Sequence, residues 1–100
     1  MPGYVGKLAP GQTLSARPYL AGSWREFARV RLEPGEERLF DADAAEYSIV
    51  VISGEGTAQV ASRIEPFDAG ASFTVGYRAQ LRLTVAEQPV ELFVTTLDIE

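Results

Sequence analysis

Beyond residue 23 the chain is written mostly in a period of two. In "FARVRL", Ala28, Val30 and Leu32 alternate with Arg29 and Arg31, so one face of the segment is apolar and the other wet. "QLRLTV" repeats the scheme with Leu81, Leu83 and Val85 against Gln80, Arg82 and Thr84, and "VELFVTTL" places Val90, Leu92 and Val94 on one side. "YSIVVIS" is a nearly continuous β-branched run, which predicts a strand buried on both sides. "RLF", "TAQVA" and "SFTV" are shorter strands, with "TAQVA" expected to pair back on "YSIVVIS" through the "SGEG" turn. "EPGE", "GYRA" and "EQP" are turns, with Pro34 presetting φ and Gly35 free to take positive φ. "DADAAE" is a polar loop with at most one helical turn near Asp43–Tyr47, and "EPFDAG" interrupts the strand pattern.

The pattern predicts an all-β domain of about seven to nine short antiparallel strands, a sandwich or small barrel. Residues 1–23 differ. Three Pro and four Gly with little periodicity predict an extended N-terminal arm with one short strand around Thr13–Leu14. The division is therefore an arm at 1–23 and a β-domain at 24–100.

Composition narrows the chemistry. The chain contains neither cysteine nor histidine, which rules out disulfides, thiolate nucleophiles, Ser-His-Asp systems and the commonest transition-metal ligand. Fourteen acids against nine bases give a formal net charge of −5, unsuited to nucleic acid, which needs clustered positive charge. No apolar run approaches the roughly 18 to 20 residues that span a bilayer. The N-terminus lacks the basic start and apolar stretch of a signal peptide, so the expected location is cytoplasmic, with no membrane partner.

The stretch "GEERLFDADAAEYSIVVISG" has a further property. Counting from Gly35, five residues lead to Asp41, one more to Asp43, three more to Tyr47, and six more to Gly54. This spacing resembles the first motif of the cupin superfamily, Gly-x5-His-x-His-x3-Glu-x6-Gly, with Asp41, Asp43 and Tyr47 in place of the ligands. "GASFTVGYRAQL" is similar to the second motif, Gly-x5-Pro-x-Gly-x2-His, with Gly76, Arg78 and Leu81 at the proline, glycine and histidine positions. The resemblance covers about Phe27 to Leu97 and implies a cupin-like jelly-roll barrel. Among cupins, "REFARVRL", "GEGTAQV" and "DAGASFTV" most resemble the C-terminal β-domain of mannose-6-phosphate isomerases, which is not the domain that holds the catalytic zinc.

Asp41 and Asp43 share a strand side at i, i+2, so both can point inward. Hard cations take six or more oxygen ligands, and Leu81 offers none, so no metal and no cofactor is expected. The acids Glu33, Glu36, Glu37, Asp41, Asp43 and Glu46 read as soluble turn residues. Arg29, Arg31 and Arg82 read as an outer face interleaved with acids, or as a row able to hold an anion. The resemblance puts Tyr47, Phe73 and Tyr77 in the cavity or at its mouth, with Arg78 beside Tyr77 in a mouth turn, and these four are the expected ligand-binding residues. Trp24 and Phe27 are expected in the core or at a dimer interface.

Two functions are consistent with this sequence. The first is a metal-free, non-catalytic module that binds a small molecule, a sugar or sugar phosphate, or serves assembly. It would form a homodimer through an edge strand and the N-terminal arm. The alternative is a metal-independent isomerase or lyase of a sugar or small carbonyl compound, with Asp41 or Asp43 as base, Tyr47 or Tyr77 as acid and Arg78 as anchor.

Overall fold

A computed structural model describes residues 8–15 and 24–99. Among them lie nine strands and no helix: β1 Thr13–Ser15, β2 Trp24–Leu32, β3 Glu37–Asp41, β4 Ala45–Ser53, β5 Gly56–Val60, β6 Arg63–Phe67, β7 Ser72–Val75, β8 Gln80–Val85 and β9 Val90–Asp98. The strand expected near Thr13–Leu14 is β1. The rest of the expected arm, residues 1–7 and 16–23, lies outside the described residues.

The strands form two antiparallel sheets, ordered β1-β2-β9-β4-β7 and β3-β8-β5-β6. Their apolar faces meet in one core in which Leu32, Ile49, Leu81, Leu83, Leu92 and Val90 have at most 1% of their surface exposed. The alternation dictates this arrangement. Ala28, Val30 and Leu32 pair with Val94, Leu92 and Val90, and Ile49 and Val51 pair with Val94 and Leu92, so the inner face of the larger sheet is an apolar grid. Leu81, Leu83 and Val85 of β8 supply the opposing face. This is the jelly-roll sandwich that the period-two pattern predicts.

Three expectations are corrected. β5 does not return on β4: β4 lies between β9 and β7, whereas β5 lies between β8 and β6. Gly54 and Glu55 carry the chain from one sheet to the other. Gly54 has a φ of 91°, and a Cβ there would lie 2.8 Å from the Val90 Cα, so the crossing needs a residue with neither a side chain nor a negative φ. The second correction is β6. It occupies part of the stretch read as irregular, and it pairs with β5 despite Pro66, because β6 is an edge strand, where proline is tolerated.

The third concerns β4, which is buried on one side only. Ile49 and Val51 are sealed, but Val50 and Ile52 are 42% and 43% exposed. Their hydrophobicity reflects β propensity and an uncovered outer face, not two-sided burial.

At one end of the sandwich lie the C-termini of β3, β5, β7 and β9 and the N-termini of β2, β4, β6 and β8. The turns there include residues 42–44 and 76–79. We call this end the mouth. Ala42 and the 76–79 turn are laced together: the Ala42 amide donates to the Ala79 carbonyl at 3.0 Å, and the Arg78 amide donates to the Ala42 carbonyl at 2.8 Å.

Candidate functional site

The pleat decides which side chains enter the barrel at the mouth. On β3 and the turn that follows, Phe40 and Ala42 are buried, at 7% and 0% exposure, while Asp41 and Asp43 are exposed. The expectation that Asp41 and Asp43 can face inward is therefore corrected. Phe40 pairs with Leu81 and Asp41 with Gln80, and the Gln80 side-chain amide donates to the Asp41 carboxylate at 3.2 Å on the outer surface. A one-residue change of phase reverses every side chain of a strand. The count from Gly35 lands on the wet phase, and the apolar phase, Phe40 and Ala42, fills the barrel.

Tyr47 does face inward. It packs on the core and meets Phe40 edge-on, with ring centroids 5.5 Å apart at 64°. Leu81 is sealed from solvent. Phe73 faces inward deeper in the barrel, paired with Ile49 and packed edge-on against Phe67 at 5.7 Å, so it belongs to the filled middle of the sandwich. Tyr77 and Arg78 sit together in the mouth turn, both exposed, with the guanidinium 5.1 Å from the ring centroid. The Tyr77 amide donates to the Glu46 carboxylate at 2.8 Å, which anchors the turn to the start of β4. Arg78 has a φ of 71°, an unfavoured value for a side-chain-bearing residue. The structure thus brings Tyr47, Tyr77 and Arg78 to one end and leaves Phe73 away from them.

Two inward residues at the mouth were not singled out by sequence. Glu26 pairs with Thr96, Thr96 pairs with Tyr47 and Tyr47 with Val75, so Glu26, Thr96 and Tyr47 form one row across the inner face of β2, β9 and β4. Thr96 is 7% exposed, and Glu26 and Tyr47 are partly buried. The signal was present. Glu26 lies in phase with Ala28, Val30 and Leu32, and Thr96 in phase with Val90, Leu92 and Val94. Extending each apolar phase by one step toward the mouth reaches a polar residue.

Several arginines are engaged by acids, among them Arg29 and Arg31 of the outer face of β2. Arg29 meets Glu91 at 3.0 Å, Arg31 meets Glu33 at 3.0 Å and Arg38 meets Glu36 at 3.7 Å. Arg63 pairs with Glu65 in the same way. This favours the interleaved ladder over an anion-binding row for Arg29 and Arg31. At the far end of the sandwich two open clefts are present. One of about 280 Å³ is lined by Gly56, Phe67 and Val85; one of about 510 Å³ lies between Gly54, Asp68 and Pro89. Neither contains a residue expected to bind ligand.

The cupin motifs imply a metal, and the inward residues do not fit one. Phe40, Ala42 and Leu81 carry no donor, Tyr47 is a phenol, and Glu26 is a lone carboxylate beside a hydroxyl. Among the described residues no three His, Cys, Asp or Glu side chains come together in a way that could hold an ion.

No family model matches this sequence, and no curated protein matches it. Solved structures do match. A cupin protein from Bacteroides fragilis superposes with a TM-score of 0.73 at 14% identity, over 98% of this chain and 86% of that one. A predicted oxalate decarboxylase from Thermotoga maritima gives 0.70 at 19% identity, over 77% and 69%. A candidate sugar phosphate isomerase from Acidithiobacillus ferrooxidans gives 0.64 at 17% identity, over 78% and 52%. The fold is the cupin jelly roll. No helix among the described residues is long and apolar enough to cross a membrane.

Proposed function

We propose that this chain is a metal-free cupin-like module that binds a small organic molecule at the barrel mouth and does not catalyse a reaction. The observation that carries the reading is the phase of β3. Phe40 and Ala42 occupy the inward positions, and with Leu81 opposite they close the region where an ion would need donors. Polar groups enter instead from Glu26, Thr96 and Tyr47, with Tyr77 and Arg78 at the rim. Aromatic walls with a few polar groups suit a small organic ligand. The likeness to the β-domain of mannose-6-phosphate isomerases and the sugar phosphate isomerase neighbour make sugars and sugar phosphates the first ligands to test.

The enzymatic alternative loses its base when Asp41 and Asp43 face water, since an acid–base group must reach the bound substrate. The module also serves assembly as a homodimer. The exposed outer side chains Val50 and Ile52 and the short edge strands β1 and β7 support a contact along that sheet and its arm. Light scattering on the purified protein tests the dimer, and a monomer across the accessible concentration range refutes it.

Elemental analysis and chelation test the metal-free reading. Protein purified without chelator is expected to hold far less than one ion per chain, and chelation is expected to leave its unfolding midpoint unchanged. A stoichiometric ion whose removal lowers the midpoint refutes the proposal.

A further inference from the structure

We infer that the row Glu26–Thr96–Tyr47 is a subsite for a small protonated amine. The inference rests on the reading of the mouth as a ligand site and specifies the charge of that ligand. Three observations carry it. Glu26 faces inward, yet among the described residues its carboxylate makes no ion pair and no hydrogen bond. The nearest arginine in sequence, Arg25, is committed to Asp98 at 2.5 Å. A partly buried carboxylate without a partner is unfavourable, and a cation bound beside it supplies what the protein does not.

The second observation is Thr96. It is 7% exposed, and its hydroxyl makes no hydrogen bond among the described residues, yet it is not one of the sealed unpartnered polar atoms. The hydroxyl therefore keeps access to the mouth, where a ligand can reach it. The pairing register puts it between Glu26 and Tyr47, where it can bond a ligand held by both.

The third is the aromatic setting. Tyr47 and Phe40 form an edge-on pair at 5.5 Å beside the row, and ring faces attract cations. The Tyr77 ring already holds one, with the Arg78 guanidinium 5.1 Å from its centroid. The row itself contains no positive group to receive a phosphate. An ammonium next to the Glu26 carboxylate, with its hydroxyl or carbonyl oxygen bonded by Thr96 and Tyr47, satisfies all three side chains. A sugar phosphate leaves Glu26 facing an anion.

Three sugars that differ in charge provide the test: glucosamine, glucose and glucose 6-phosphate. They are titrated into isotope-labelled protein in mildly acidic buffer, where the amine is protonated, and amide shifts are followed by NMR. Glucosamine is expected to move the amides of Glu26, Thr96 and Tyr47 and to bind about tenfold more tightly than glucose. The Glu26→Gln protein, with an unchanged circular dichroism spectrum, is expected to bind glucosamine and glucose alike. Tightest binding of glucose 6-phosphate, or a glucosamine preference that survives Glu26→Gln, overturns the inference and leaves the mouth as a ligand site. No shift at these residues with any of the three overturns both readings.

Discussion

Strands β2 and β3 bring carboxylates to the same end of the barrel, and the pleat gives them opposite surroundings. On β3 and its turn, Asp41 and Asp43 stand in the wet phase, flanking the sealed Ala42. On β2, Glu26 stands in the apolar phase, two residues before Ala28, which packs on the core. The aspartates match a metal motif by spacing and are solvated. The glutamate matches no motif and faces the interior. Chemistry at a barrel mouth is assigned by strand phase, because a side chain's face follows from its parity with the core residues of its own strand.

Substitutions at these positions can break that contrast. The largest effect is expected for Ala42→Asp, which moves a carboxylate from the wet phase to the dry one. An uncompensated buried charge of this kind costs about 3–5 kcal/mol, visible as a lowered urea midpoint. A midpoint equal to that of the parent protein would show that the inner phase of β3 tolerates charge. Leu81→Ala removes a sealed side chain opposite Phe40 and is expected to cost about 2–5 kcal/mol by the same measurement. A negligible loss there would mean that the mouth is open under Leu81.

Thr96→Val probes the other strand pair. Its hydroxyl has no protein partner among the described residues and reaches solvent, so removing it at nearly constant shape is expected to move stability by less than about 1 kcal/mol. A larger loss would reveal a partner for the hydroxyl within the protein. The smallest effects belong to Asp41→Ala and Asp43→Ala. Each is expected to stay within about 0.5 kcal/mol of the parent, since exposed groups of this kind contribute little. A larger loss at either position would return these aspartates to the interior.

The alternating segments were legible because their physics is local. β2, β8 and β9 each show one apolar phase in sequence, and each turns that phase to the core. Sheet membership was less legible. β4 and β5 are joined by a glycine turn of hairpin type, yet they belong to different sheets, because Gly54 crosses next to the Pro89–Val90 backbone. That proximity comes from a strand more than thirty residues away and leaves no local mark. β4 misled in another way, since Val50 and Ile52 carry the composition of a buried strand on an uncovered face. β6 was hidden by Pro66, which reads as a breaker unless the strand is known to be an edge.

The candidate site divides along the same line. Tyr47, Tyr77 and Arg78 were reached through the motif spacing, and the structure gathers them at the mouth. Asp41 and Asp43 were reached through that spacing too, but a count from Gly35 contains no information on the phase of β3. Phe40 and Ala42 carried that information, since apolar residues at i and i+2 mark the buried side. Glu26 and Thr96 could have been found by the same step on β2 and β9.

Because the chain has no cysteine, a single introduced thiol reports directly on which phase faces in. Asp41→Cys, Ala42→Cys and Asp43→Cys proteins, treated under native conditions with a small thiol reagent, are expected to react rapidly at 41 and 43. At 42 the reaction is expected to be slower by orders of magnitude, limited by local opening. Fast labelling at 42 with protection at 41 and 43 would contradict the assigned phase and, with it, the donor-free inner face of β3.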